Sequence, residues 1–113
     1  LNNTALNMTD GYQFLDYVHI DDVVRAFVHA SKLITIIKDN NVIYKVSSNK
    51  HIRLRNIVNK YLFEHKLTIK INWGALEYMD KFVNKPYSGG LNLPGWEPTI
   101  DLMNGLATIR NVK

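Results

Sequence analysis

The stretch FLDYVHIDDVVRAFVHASKLI, residues 14–34, decides how this chain reads. Its first seven residues are rich in aromatic and β-branched types, which predicts a short strand over 14–20. Asp21 then stands where a helix N-cap belongs, its carboxylate able to accept from the amides of a first turn. Behind it Val23, Val24, Phe27 and Ala30 recur at helical spacing and predict a helix over 22–34 with one apolar stripe. The second aspartate, Asp22, reads as part of the same cap. Asp16 and Tyr17 have two readings: one edge of a ligand site, or an acid bonded to loop amides beside a packed tyrosine.

Outward from this unit the pattern repeats. The Asp10-Gly11 pair upstream signals a turn, and KDNN (38–41) ends the first helix. VIYKVS (42–47) alternates as a second strand, and a helix over 54–66 presents Leu54, Ile57, Val58, Tyr61 and Leu62 on one face. LTIKIN (67–72) predicts a third strand. Residues 73–98 form a long connection containing Gly, Asn and Pro, a length more often functional than incidental. PTIDLMNGLATI (98–109) closes the chain as a helix, with Trp96 as its core anchor and Trp73 as either a pocket wall or a core residue. The order predicts one α/β lobe over residues 1–113 with little sheet of its own, built to lean on a neighbour.

Composition narrows the class. A chain of 113 residues that is 46% hydrophobic and 21% charged has the profile of one folded domain and not of a disordered segment. It has no cysteine, which excludes disulfides and thiolate metal sites and permits a reducing cytoplasm, the expected location. No apolar run is long enough to cross a bilayer, and no signal peptide opens the chain. The net charge is +4 and the pI near 9.4. Lys45, Lys50, Arg53, Arg55, Lys60, Lys66 and Lys70 are scattered, so they read as a diffuse solvated surface and not as a nucleic-acid patch. A chain that begins at Leu1 is expected to be part of a longer one.

The common catalytic signatures are missing. There is no Gly-x-Gly-x-x-Gly or P-loop cradle, no Gly-x-Ser-x-Gly elbow and no cysteine nucleophile. The four histidines have no metal-ligand spacing, and none of the six tyrosines has a lysine four residues on.

Three segments together resemble the extended short-chain dehydrogenase/reductases, the NAD(P)-dependent epimerases and dehydratases of nucleotide sugars. In LNMTDGYQFLDYVHIDDVVRAFVHA (6–30), Thr9, Gly11, Gln13, Asp16, Tyr17, His19, Asp22 and Val23 fall on that family's pattern. VIYKVSSNKHIRLRNIV (42–58) looks like its Val-Tyr-Asn-Ile-Gly-Ser-Gly followed by a helix opening, and LPGWEPTIDLMNGLATI (93–109) like its closing Leu-Gly-Trp-x-Pro segment. More loosely, Gly74, Ala75 and Tyr78 of NWGALEYMDKF (72–82) resemble a pattern of CDP- and dTDP-deoxysugar enzymes of O-antigen synthesis.

The resemblance implies a C-terminal, substrate-binding lobe of a Rossmann-fold enzyme that acts as epimerase, dehydratase or 4-reductase in surface-polysaccharide sugar synthesis. It implies that Met8, Gln13, Leu15, Tyr17, Tyr78 and Met79 face the nucleotide sugar. NAD or NADP would be bound by an N-terminal dinucleotide-binding domain outside this chain, together with the catalytic groups. This lobe would bind no cofactor, metal, membrane or nucleic acid; a homodimer is left open. Two departures stand out: Leu15 and Met79 occupy positions where relatives carry arginines for the pyrophosphate, a role suited to a planar, permanently charged guanidinium. Lys81, Lys85 or Arg55 could replace them. Otherwise the chain is a non-catalytic relic or binding module with a degraded phosphate site. Arg53 falls where the family caps its helix with Ser or Thr, and is a poor cap.

Overall fold

The computed structural model describes residues 4–38, 41–79 and 84–110. In chain order these form β1 (Leu6–Met8), β2 (Phe14–Leu15), α1 (Ile20–Leu33), β3 (Tyr44–Lys45), β4 (Ile52–Arg53), α2 (Leu54–Glu64), β5 (Ile71–Trp73), β6 (Leu91–Asn92) and α3 (Leu102–Arg110). The mixed α/β class matches the expectation, and so does the scarcity of sheet: the strands associate only in pairs. The chain divides into two compact units, one of Leu1–Leu15 with His51–Pro86, the other of Asp16–Lys50 with Tyr87–Lys113.

In the first unit β1 runs parallel to β5, with Leu6 opposite Ile71 and Met8 opposite Trp73. β2 is antiparallel to β4, with Phe14 opposite Arg53 and Leu15 opposite Ile52. The expected face of α2 holds: Ile57 is buried, and Leu54, Val58, Tyr61 and Leu62 are half-buried. Its end explains why β5 starts later than the sequence suggests. Lys66 takes a positive φ of 52°, the Lys66 amide donates to Phe63 O, and the Leu67 amide donates back to Leu62 O at 2.9 Å. This pair of bonds closes the last helical carbonyls, so Leu67 still serves the helix and pairing begins only at Ile71.

The second unit is organised by α1, and here the sequence reading needs correction. The N-cap is His19 and not Asp21: the His19 ring Nδ1 accepts from the Asp21 amide at 3.1 Å. The helix therefore starts at Ile20, and the strand expected over 14–20 is reduced to Phe14–Leu15. Asp21 and Asp22 lie in the first turn, where a negative charge suits the helix dipole. Asp22 does not cap. It is 1% exposed and accepts from the amides of Thr99 (3.0 Å) and Ile100 (2.9 Å), from the Thr99 hydroxyl (3.0 Å) and from Arg25 (3.0 Å).

Other groups on α1 hold the same segment. The Asp22 carbonyl accepts from Trp96 Nε1 at 3.1 Å, Arg25 donates to Glu97 O and lies 5.6 Å from the Trp96 ring centroid, and His29 Nε2 is 2.6 Å from Pro94 O. Trp96 is thus anchored to α1. Ala26, one turn on from Asp22, is fully buried.

The buried face of α1 is therefore Asp22 and Ala26, with His29 and Leu33 half-buried. The apolar stripe read from sequence points largely elsewhere: Val24 and Phe27 are 55% and 70% exposed, and Val23 and Ala30 are half-buried. The last helix also starts later than its apolar pattern, at Leu102, because Asp101 Oδ1 accepts from the Asn104 amide at 2.8 Å and caps it. β3 runs parallel to β6, a strand inside what the sequence presents as loop.

Burial pushes the Asp22 carboxyl pKa up, but the bonds from Ile100, Arg25 and Thr99 outweigh it and lower it from 3.8 to about 2. A depressed folded-state pKa contributes stability that is present above the unfolded value and lost as pH falls through the folded one. Asp22→Ala should lower unfolding stability by about 3 kcal/mol in urea melts at pH 7. Asp22→Asn should flatten the acid dependence between about pH 4 and 2. An unchanged acid profile would remove Asp22 from this role.

Candidate functional site

Five of the six residues that the resemblance nominates lie in the first unit. Met8 ends β1 opposite Trp73, and the Met8 carbonyl accepts from the Leu76 amide at 3.1 Å. Leu15 ends β2 opposite Ile52. Gln13 is half-buried; its carbonyl accepts from the Leu54 amide, while its side-chain Oε1 is buried with no hydrogen-bond partner. Tyr78 reaches back to the same turn, its hydroxyl accepting from the Tyr12 amide at 3.1 Å. Met79 is 78% exposed. The unit thus brings Tyr78 against the residue that precedes Gln13, and sets Met8 beside Trp73.

Tyr17 belongs to the second unit. It is 42% exposed, and partial burial raises its phenol above the usual tyrosine range. The neighbouring Asp16 is bonded to loop groups, the second of its two readings. Its carboxylate accepts from the Ser48 amide at 2.9 Å and from the hydroxyls of Ser47 and Ser48. Ser47 is buried, its Oγ accepts from the Asn49 amide, and Ser48 Oγ accepts from the Lys50 amide. The bonds shape the loop after β3, including a positive φ of 58° at Asn49.

What sequence reasoning missed is the set of residues around Gly11. Gly11 is buried with φ +69°, and its carbonyl accepts from the Arg55 amide at 2.8 Å. A Cβ there would lie 2.6 Å from Trp73 Cζ3 and 3.1 Å from Arg55 Cβ. The glycine thus lets the turn pass between Trp73 and the start of α2, and it sets Tyr12 beside Arg55. Arg55 Nη1 donates to the Tyr12 hydroxyl at 2.5 Å. Gly11 itself was legible as a turn glycine; its neighbours in space, 44 and 62 positions along the chain at Arg55 and Trp73, were not.

No His/Asp/Glu group able to hold a metal ion occurs among the described residues. Among them, too, no helix is long and apolar enough to cross a membrane. Lys85 is exposed, and Lys81 lies outside the described residues.

Neither a protein-family model nor a curated protein matches the chain. Solved structures do. RMD from Pseudomonas aeruginosa, complexed with NADPH, superposes with a TM-score of 0.65 at 16% identity, over 96% of this chain and 34% of its own. UDP-glucose 4-epimerase from Thermotoga maritima, with UDP-glucose, does so at 0.58 and 24% identity, over 92% of this chain and 33% of its own. The likeness is one of fold. The chain spans about a third of the length of either enzyme.

Gly11→Ala should combine a disfavoured backbone conformation with a clash against Trp73, and cost about 1–3 kcal/mol in a urea melt. A wild-type midpoint would show that the turn can be rebuilt without the glycine.

Proposed function

We propose that this chain is the substrate-binding portion of an NAD(P)-dependent nucleotide-sugar epimerase, dehydratase or 4-reductase of the extended short-chain dehydrogenase/reductase family. One observation carries the reading: almost the whole chain shares its fold with one third of an NADPH-complexed RMD and of a UDP-glucose 4-epimerase. The ordered sequence pattern through Thr9, Gly11, Gln13, Asp16 and Tyr17 supports it independently. A cytoplasmic place in surface-polysaccharide sugar synthesis is the finer form of this proposal.

In this reading the nicotinamide supplies hydride transfer at the sugar and is bound by residues outside this chain, which contains no glycine-rich phosphate turn. This chain's part is to bind and orient. The unpartnered Gln13 Oε1 offers an acceptor to a sugar or ribose hydroxyl. Tyr78, held to the Tyr12 amide, Met8 and Met79 line the same lobe, and Leu15 leaves its position without charge. Tyr17 is assigned to the substrate by sequence pattern alone.

The exposed stripe of α1 fits a partner domain. Ile20, Val24 and Phe27, continued by the C-cap Ile34, recur at helical spacing and are 55–77% exposed. A dinucleotide-binding domain of the same polypeptide is the assigned cover.

Calorimetric titration of CDP-, dTDP- and UDP-sugars into the full-length protein tests the binding role. Submillimolar affinity for one of them is expected at low salt. No binding by any would favour the second reading, a relic or binding module of this fold, which Leu15 and Met79 motivate. Residues 1–113 alone should self-associate in a sedimentation concentration series, and Phe27→Glu should reduce it. A strictly monomeric, sharply two-state wild-type fragment would contradict the covered face.

A further inference from the structure

Asn104-Gly105 is the one Asn-Gly pair in the sequence, and it lies inside α3. Glycine is a poor helix former, so a glycine within a helix needs a reason. Here the reason is packing. Gly105 is buried, and a Cβ on it would lie 3.1 Å from Cδ2 of His19, the residue whose ring caps α1. A bare backbone at this position gives that ring its place against α3.

The same glycine has a chemical consequence for the residue before it. Asparagine is among the residues that degrade with heat, and a following residue without a side chain leaves its carboxamide open to attack along the main chain. In that reaction the Gly105 backbone nitrogen bonds to Asn104 Cγ, and its proton passes to Nδ2, which leaves as ammonia. A five-membered succinimide remains. Water opens it at one carbonyl or the other and gives aspartate or isoaspartate. Asn104 is exposed, so water reaches it.

Asp101 holds every group that must move. Its Oδ2 accepts from Asn104 Nδ2 at 2.9 Å, and its Oδ1 from the Asn104 amide at 2.8 Å. Its carbonyl accepts from the Gly105 amide at 2.9 Å. One residue thus binds the leaving group, the attacking nitrogen and the backbone between them. Ring closure requires Nδ2 to leave Oδ2 and the Gly105 N–H to leave the carbonyl, which opens the first turn of α3.

We infer that Asn104 is a site of spontaneous deamidation, and that Asp101 is the positioning residue that restrains it while the first turn of α3 is formed. The change runs one way. Its aspartate product carries an acceptor where Nδ2 donated, so two carboxylates face each other in place of the bond. Its isoaspartate product adds a methylene to the main chain at the start of the helix. The site needs only water, and it does not depend on the nucleotide-sugar reading.

The test is incubation of the full-length protein at mildly alkaline pH, followed by digestion and mass spectrometry of the peptide that contains Asn104, with its aspartate and isoaspartate forms separated. Folded wild type should convert more slowly than wild type in urea. Asp101→Ala should raise the folded-state rate about fivefold, the opening expected from a lost cap. Asp101→Ser returns an acceptor to the Asn104 amide but none to Nδ2, and should stay faster than wild type. Gly105→Ala should suppress conversion. Should the Asp101 variants unfold, the wild-type rates with and without urea decide. Equal rates in those two, or a folded Asp101→Ala at the wild-type rate, overturn the restraint. A wild-type rate in Asp101→Ser overturns the part given to the side-chain bond, and no conversion at Asn104 even in urea overturns the site.

Discussion

A carboxylate almost out of contact with water stays charged only where donors surround it. Asp22 has four: two amides and a hydroxyl from Thr99 and Ile100, and the Arg25 guanidinium. Much of the second unit follows from satisfying that one group. The segment that brings Thr99 to α1 also brings Trp96 within reach of the Asp22 carbonyl and Glu97 within reach of Arg25. Helix α1 must then turn Asp22 inward, which turns Val24 and Phe27 outward.

The apolar interior is correspondingly thin. Among the described residues only Ala26, Ile57 and Leu93 are buried apolar side chains, while Phe27, Ile34, Ile36, Phe63 and Met79 are each at least 70% exposed. Polar hubs do much of the positioning: Asp22 in one place, the Asp16–Ser47–Ser48 set in another, and the Gly11 turn in the first unit. Hydrogen-bonded hubs fix geometry but contribute little net stability each. The fold is shared over about one third of the length of each similar enzyme.

Much of this was legible before the structure. All three helices appear where apolar periodicity places them, with shifted ends, because a helix face repeats over several turns and tolerates local exceptions. The strands were harder. β4 and β6 are two residues long, too short for any alternation to register. The start of α1 was misjudged for a specific reason: an aspartate before a helical pattern reads as a cap, yet there a histidine performs that task, whereas α2 starts at Leu54 as its pattern predicts. Of the residues nominated for substrate, Tyr78 and Gln13 acquire distinctive settings, whereas the meeting of Gly11, Arg55 and Trp73 was invisible because its members come from three separate segments.

The sequence by itself determined the α/β class, the helical segments, the lack of familiar catalytic motifs and the absence of charge at positions 15 and 79. These are properties of composition and short-range spacing. Only the tertiary structure decided that Asp22 is a buried hub, that the apolar stripe of α1 faces outward, and that Arg55 meets Tyr12 and Trp73. Each of those depends on which distant segment supplies the partner. A side chain's chemistry fixes what partner it requires; the path of the chain decides whether and from where that partner comes.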